Sequence, residues 1–131
     1  MNKTLNLVVG LPRAGSSVLT KILGQNSTLY TQTNSPIFSI LNLLHSEWRA
    51  DDLDEKKRTL RGALEGFYSK TDSSVVFDNN IRWLPLVPQL EEILQKDIKI
   101  LVCVRNPAEI VTSFERSRIS KIFRNLIRIK A

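Results

Sequence analysis

Cysteine is nearly absent from this chain, since Cys103 is the only one among its 131 residues. An internal disulfide is therefore excluded, and so is a zinc site built from cysteines. We expect Cys103 to be a small buried apolar residue. Hydrophobic residues make up 42% of the chain and charged residues 24%, which excludes a disordered, collagen-like or disulfide-built protein. The length allows one domain over residues 1–131 and hardly two.

Long hydrophobic runs are also absent. No apolar stretch approaches the ~18–20 residues that are needed to cross a bilayer. The apolar run at residues 5–9 is too short for a signal-peptide core, and no plausible cleavage site follows it. We therefore expect a soluble, cytoplasmic protein of a reducing compartment.

Excess charge is missing from most of the chain. Residues 1–115 contain 13 lysines and arginines against 13 aspartates and glutamates, so they balance at zero. The whole net charge of +6 lies in residues 116–131, which contain no acid. Its carriers are Arg116, Arg118, Lys121, Arg124, Arg128 and Lys130. Because the body is neutral, we expect no nucleic-acid partner despite the basic pI.

The pattern of apolar residues predicts strands that alternate with helices. Strands are expected at residues 5–9, 74–77 and 98–104. Helices are expected at 16–25, 36–48, 53–68 and about 84–94, with a last one that opens at Pro107. Trp48 is placed on the apolar face of the second helix. Short apolar strands separated by helices predict a parallel sheet with covered faces, which is an α/β fold.

The first candidate site is the loop between the first strand and the first helix. Gly10 and Gly15 have the spacing of a Walker A loop, which directs backbone N–H groups and a helix N-terminus at a phosphate. Ser16 stands where that motif requires lysine, so ordinary ATP or GTP hydrolysis is disfavoured. Arg13 still supplies a cation inside the loop. The alternative is a strand-to-helix turn that binds no ligand and needs the glycines only because it is tight.

The second candidate site follows the third predicted strand. Arg105 lies at the carboxyl end of that strand, where open α/β sheets bind ligands. Ser113 is expected two turns inside the next helix, so both side chains could hold one anionic group. Alternatively, Arg105 pairs with Glu109 and Ser113 is an ordinary residue of the helix surface.

Together the two segments resemble the sulfotransferase family. The Pro-Arg-Ala-Gly-Ser-Ser sequence at 12–17 resembles its 5′-phosphosulfate loop. The Val-Arg-Asn-Pro sequence at 104–107, with a serine eight residues after the arginine, resembles its 3′-phosphate motif. The segment 77–80 with Trp83 is similar to the strand-end segment of bacterial, cyanobacterial and phage members. The resemblance covers residues 4 to about 117, which corresponds to the N-terminal part of the family.

This resemblance implies a three-layer fold of P-loop type and transfer of a sulfuryl group from PAPS (3′-phosphoadenosine 5′-phosphosulfate). The acceptor would be a hydroxyl or amine on a small molecule, glycan or peptide. Arg13 would stabilise charge on the bridging oxygen, while Arg105 and Ser113 would hold the 3′-phosphate. No metal is implied. The residues that would wrap the 5′-phosphosulfate are Pro12, Arg13, Ala14, Gly15, Ser16 and Ser17.

The general base is less well defined by the resemblance, because family members use a histidine or a glutamate. His45 is the sole histidine, and a partly buried or surface position on a helix is the alternative for it. Asp78 ends the second predicted strand, close in topology to the family's catalytic histidine, although it could equally cap a turn. Glu47 is a weaker candidate.

The chain departs from the family in its length after the 3′-phosphate motif. We expect a C-terminally truncated fold that lacks the cover over the adenosine, and a basic amphipathic tail at residues 117–131. That tail could be a helix that binds a partner or a membrane surface. Alternatively, it is a helix packed on the sheet, or an altered chain end. We expect no membrane contact. Uncovered apolar surface should favour self-association. Two other functions stay open, namely a non-catalytic nucleotide- or partner-binding remnant and a P-loop nucleotide kinase.

Overall fold

A computed structural model describes residues 3–47 and 53–129 of the chain, with side chains described as far as residue 118. The strands are β1 (Thr4–Gly10), β2 (Leu29–Thr33), β3 (Val75–Asn79) and β4 (Lys99–Cys103). The helices are α1 (Ser16–Leu23), α2 (Ile37–Glu47), α3 (Leu53–Tyr68), α4 (Val87–Leu94) and α5 (Pro107–Ile129), with a 3₁₀ helix over Ile81–Leu86. Trp48, which the sequence placed on the second helix, lies outside the described residues.

The four strands form one all-parallel sheet in the order β2-β3-β1-β4. This confirms the predicted α/β class and its parallel sheet. The prediction of three strands was wrong, because β2 was missed. Its sequence, Leu-Tyr-Thr-Gln-Thr, contains no apolar run, and none of its residues is fully buried. An edge strand that is half-covered needs no such run, so the pattern used to find the other strands did not detect it.

The two faces of the sheet are covered by different helices. Leu5 is in register with Val76, which is in register with Tyr30, so these side chains share one face. That face packs against buried residues of α2, α3, α4 and the 3₁₀ helix. On the opposite face α1 approaches β2 closely, since a Cβ on Gly24 would lie 2.7 Å from the Thr31 hydroxyl. Helices therefore lie on both sides of the sheet.

The predicted helix at 84–94 is divided into two elements. Pro85 lies inside the 3₁₀ helix and Pro88 lies in the first turn of α4. A proline lacks the N–H that an α-helix interior requires, so the chain begins a new helix after the first proline. Trp83 is fully buried and packs edge-on against Phe38, with ring centroids 5.2 Å apart. The 3₁₀ helix is thereby fixed to α2.

The end of β3 also differs from the prediction. Asp78 does not follow the strand but lies within it, and its side chain is 0% exposed. It accepts hydrogen bonds from the Ser35 hydroxyl and, at 2.6 Å, from the Tyr68 hydroxyl. The turn residue is instead Asn80, whose Oδ1 accepts from the Arg82 amide at 3.1 Å. Asp78 thus joins the segment before α2 and the end of α3 to the centre of the sheet.

The last strand and last helix are only partly covered. Cys103 is half-buried rather than buried, because β4 forms an edge of the sheet. The basic tail continues α5 without a break as far as Ile129, and the positions predicted to form its apolar and basic sides lie beyond the described side chains. Within the described residues, no helix is both long enough and apolar enough to cross a membrane.

The buried Tyr68 hydroxyl predicts a loss of stability at alkaline pH. Burial first, and then the neighbouring charge of Asp78, raise the pKa of Tyr68 far above its ordinary value of 10.0. Above pH ~10 the unfolded chain releases this proton while the folded chain retains it, so the free energy of unfolding falls as pH rises. Tyr68→Phe should flatten this decline between pH 9 and 11 in urea titrations, and should lower stability at pH 7 by about 1–3 kcal/mol.

Tyr30 provides the matched control for this measurement, because it is only half-buried and its hydroxyl donates to the Gln32 side chain, not to a buried carboxylate. Tyr30→Phe should therefore leave the alkaline slope unchanged. An equal flattening in both variants would contradict the role assigned to Tyr68.

Candidate functional site

A strained turn opens the loop between β1 and α1. The Ala14 amide donates to the Leu11 carbonyl at 2.9 Å, which closes a β-turn with Pro12 and Arg13 at its centre. Arg13 has a φ of 73°, in the left-handed region. A type II turn favours proline at its second position and requires positive φ at its third, where glycine is usual. Arginine costs about 1–2 kcal/mol more in this conformation, so the surrounding contacts must hold it there.

Gly15 ends the loop and begins α1. Its φ of 106° is left-handed, and its carbonyl accepts from the amides of Val18 and Leu19 at 2.9 and 3.0 Å. No side chain caps this helix N-terminus. The first amides of α1 therefore face the loop with the positive end of the helix dipole, as a phosphate or sulfate would require.

Gly10 allows the loop to approach the end of β4. It is in register with Cys103, and a Cβ on Gly10 would lie 2.9 Å from the Cys103 carbonyl oxygen. Any larger residue would push β1 and β4 apart at this point. Because the strands are parallel, the loop after β1 and the segment after β4 emerge side by side at the carboxyl edge of the sheet, where α/β folds bind ligands.

Two hydrogen bonds join the two motifs that the sequence singled out. Arg13 Nε donates to Ser113 Oγ at 3.0 Å, and Arg105 Nη1 donates to the Arg13 carbonyl at 3.2 Å. As predicted, Arg105 follows the end of β4 and Ser113 lies two turns inside α5. Residues about 100 positions apart in the chain therefore form one cluster.

Arg105 also has an acidic partner. Its Nε lies 2.8 Å from Glu109 Oε2, and the two side chains are 40% and 59% exposed. This is the pairing that the sequence left open as the alternative for Arg105. An exposed pair at this spacing contributes only about 0.3–0.5 kcal/mol, so a ligand with more negative charge can displace Glu109.

An open cleft of about 310 Å³ lies over the first three turns of α5. Asn106 begins this helix, because its Oδ1 accepts from the Ala108 amide at 2.9 Å. Two polar residues of the cleft, Thr112 and Arg116, were not identified as site residues from the sequence. The signal was present in their spacing, since positions three and four apart share one face of a helix. The lining residues are Arg105, Ala108, Glu109, Thr112, Ser113 and Arg116.

A second, apolar cavity of about 240 Å³ adjoins the loop. Gly10, Leu11 and Ala14 of the loop line one part of it, and Arg105 lines another. The rest of the lining is apolar and comes from the ends of β1 and β4, the residue after β4, the 3₁₀ helix and the first turn of α5. Arg105 thus lines both the charged cleft and the apolar cavity.

The candidate general bases do not line the cleft that Arg105 and Ser113 line. His45 is half-buried near the end of α2, where it borders a small gap with Leu60, Leu86 and Gln89. Glu47 is exposed at the end of the same helix. Asp78 is enclosed with Ser35 and Tyr68, and its second oxygen, Oδ1, is buried without a hydrogen-bond partner among the described residues. Whether any of these residues acts as a base stays a prediction.

Metal ligands do not gather in the described part of the chain, where no three His, Cys, Asp or Glu side chains come together. No protein-family model, curated protein or solved structure matches this chain.

The left-handed conformation of Gly15 predicts a specific cost for a side chain at this position. Gly15→Ala should lower the free energy of unfolding by about 1–2 kcal/mol, although a Cβ there would meet no neighbour within 4 Å. The control is Gly62→Ala, in the interior of α3, where a Cβ also meets nothing. Because alanine favours helix, that variant should gain about 0.5–1 kcal/mol. Urea denaturation compares the two, and a neutral Gly15→Ala would contradict the strained loop.

Proposed function

We propose that this chain binds PAPS at the junction of the β1–α1 loop and α5 and transfers its sulfuryl group to a hydroxyl or amine. One observation carries the proposal. Arg13 of the phosphosulfate-like loop donates to Ser113, while Arg105 donates to the Arg13 carbonyl. The two segments that resemble the 5′-phosphosulfate and 3′-phosphate motifs are thus in direct contact. This supports a P-loop-type fold with one continuous anion site.

The arrangement of charge supports a ligand with two anionic groups. The amides at the start of α1 and the Arg13 guanidinium would take the phosphosulfate. Arg105 and Ser113 line the cleft beside them, together with Arg116, and would take the 3′-phosphate. ATP lacks a 3′-phosphate, and Ser16 replaces the lysine that an ATPase loop requires. This charge distribution favours PAPS over ATP and argues against the nucleotide kinase alternative.

The transfer moves one sulfuryl group between two oxygens, or from oxygen to nitrogen. The acceptor atom forms a bond to sulfur, the bond from sulfur to the bridging oxygen breaks, and PAP (3′-phosphoadenosine 5′-phosphate) leaves with the electron pair. The acceptor proton passes to a general base, for which Asp78 and His45 are the candidates. Arg13 would stabilise the charge that grows on the bridging oxygen, and its fixed turn orients it before the reaction.

A second function, binding without turnover, is favoured by the positions of these bases. Asp78 is fully enclosed, and His45 borders a gap whose lining shares no residue with the cleft. A chain that holds PAP but lacks an accessible base would be a nucleotide-binding remnant. Turnover assays on PAPS separate this alternative from the enzyme.

The 3′-phosphate role of Arg105 gives the first test of the site. Arg105→Ala should weaken PAP binding about ten- to a hundred-fold, as measured by calorimetry, because one charge-assisted contact is lost. Binding of AMP, which has no 3′-phosphate, should change little. Equal losses for both nucleotides would contradict the assignment.

Two further variants sharpen this measurement. Glu109→Gln should tighten PAP binding a few-fold, because it removes the carboxylate that competes for Arg105. Arg58→Ala, at an exposed arginine of α3, changes the net charge by the same amount as Arg105→Ala and should leave the affinity for PAP nearly unchanged.

The loop arginine should serve the transfer step more than ground-state binding. Arg13→Ala should lower the rate of PAPS conversion to PAP by about a hundred-fold or more, while the affinity for PAP falls less. Arg13→Lys keeps the charge and should restore part of the rate. If PAP affinity in Arg13→Ala falls as far as the rate, Arg13 only anchors the bound nucleotide. If the unsubstituted chain does not turn over PAPS, the enzyme function is excluded and the binding function is favoured.

A further inference from the structure

The charged cleft and the apolar cavity meet at the β1–α1 loop. Arg105 lines both of them. Leu11 and Ala14, which form the two ends of the strained turn, line the cavity as well. The cavity is open to water, since Leu11 is 57% exposed and Val104, also in its wall, is 86% exposed. A ligand that the loop holds can therefore extend directly into an apolar space.

The charge of the loop suits a single negative charge at the position that the sulfuryl group of PAPS would occupy. Arg13 is the only cation between Gly10 and Ser17, because Ser16 stands where a Walker A loop has lysine. A terminal phosphate monoester carries nearly two negative charges at neutral pH. The sulfuryl end of a phosphosulfate carries one, and so does an outer phosphate that is esterified to an organic group. The loop therefore suits these two groups better than a bare terminal phosphate.

From these two features we propose that the site also binds a 3′-phosphoadenosine 5′-diphosphate that carries an organic chain on its outer phosphate, the class to which coenzyme A belongs. The inference rests on the proposed function, because it uses the same 3′-phosphate contacts of Arg105 and Ser113. The diphosphate would lie against the loop, as the phosphosulfate of PAPS would. The organic chain would leave the outer phosphate beside Leu11 and Ala14 and cover the apolar cavity.

The first part of that organic chain matches the cavity. In coenzyme A the outer phosphate is linked through one CH₂ group to a carbon that bears two methyl groups. Against aliphatic side chains, this branched segment removes apolar surface from water on both sides of the contact. The cavity, at about 240 Å³, is smaller than sites that enclose drug-sized ligands, which measure about 300–1,000 Å³. It therefore suits the branched segment, and the polar remainder of the chain would extend into solvent.

The contacts that Arg105 already makes leave it available to this ligand. Its Nε faces Glu109, and one hydrogen of its Nη1 faces the Arg13 carbonyl. A guanidinium has five N–H groups, so three remain for a phosphate. Arg116, exposed and in the lining of the same cleft, adds a second cation. The cleft can therefore hold the 3′-phosphate while the bond from Arg105 to the Arg13 carbonyl stays in place.

Calorimetry on the full chain with three nucleotides tests this inference. Coenzyme A should bind within about ten-fold of the affinity for PAP. Dephospho-coenzyme A, which lacks only the 3′-phosphate, should bind about ten- to a hundred-fold more weakly than coenzyme A, because charge-assisted contacts are lost. In Arg105→Ala this difference should fall to a few-fold. Equal binding of coenzyme A with and without its 3′-phosphate would overturn the inference, and so would coenzyme A binding that is more than ten-fold weaker than PAP binding.

The cavity has a variant of its own. Leu84→Ser removes apolar surface from the cavity wall and should weaken the binding of coenzyme A several-fold. PAP has no chain on its 5′-phosphate, so its affinity should not change. Leu43→Ser is the matched control, because this α2 leucine is also exposed but lines neither the cavity nor the cleft, and it should leave both affinities unchanged. Unaltered coenzyme A binding in Leu84→Ser would overturn the place assigned to the organic chain.

These outcomes are separate from those of the proposed function. If PAP binds and coenzyme A does not, only the further inference fails. If coenzyme A binds with the expected dependence on its 3′-phosphate and PAPS is not turned over, the inference stands and the transfer reaction fails. If neither PAP nor coenzyme A binds, the shared site is wrong and both proposals fail.

Discussion

The candidate site depends on the close parallel pairing of β1 with β4. Gly10 lies against Cys103 so tightly that a Cβ would come within 2.9 Å of the carbonyl oxygen. This contact brings the two parts of the site together. The strained Arg13 turn follows β1 and the Arg105 segment follows β4, and both begin at the same edge of the sheet. The hydrogen bonds from Arg13 to Ser113 and from Arg105 to the Arg13 carbonyl then join the two segments. A substitution at Gly10 would therefore disturb the site without touching any of its polar groups.

Much of this arrangement could be predicted from the sequence, and the exceptions have physical reasons. Buried parallel strands leave continuous apolar runs, so β1, β3 and β4 were found, whereas the half-covered, polar β2 was not. The loop and the 105–113 segment could be placed because glycine spacing and a strand-to-helix transition are local signals. The contact between Arg13 and Ser113 could not, because it depends on which strands become neighbours.

Asp78 shows the limit of local patterns in another way. Its sequence, Asp-Asn-Asn after an apolar run, is typical of a turn. In the fold the strand continues through Asp78, because Ser35 and Tyr68 supply two hydrogen bonds that no local pattern reveals. A buried carboxyl group with two such partners is held firmly in place. The residue that the resemblance suggested as a base is therefore tied to the core.

The central position of β1 has a consequence for synthesis on the ribosome. Its buried residues, Leu5 to Val9, emerge before their partners, which lie at residues 75–79 and 99–103. Until those segments have left the exit tunnel, β1 has no strand to pair with and its apolar side chains stay in water. Local elements such as α3 can form earlier, whereas the sheet must close over long loops. The apolar side chains of β1 thus stay exposed on the nascent chain until β3 and β4 have been synthesised, and chaperones that bind short apolar stretches would bind there.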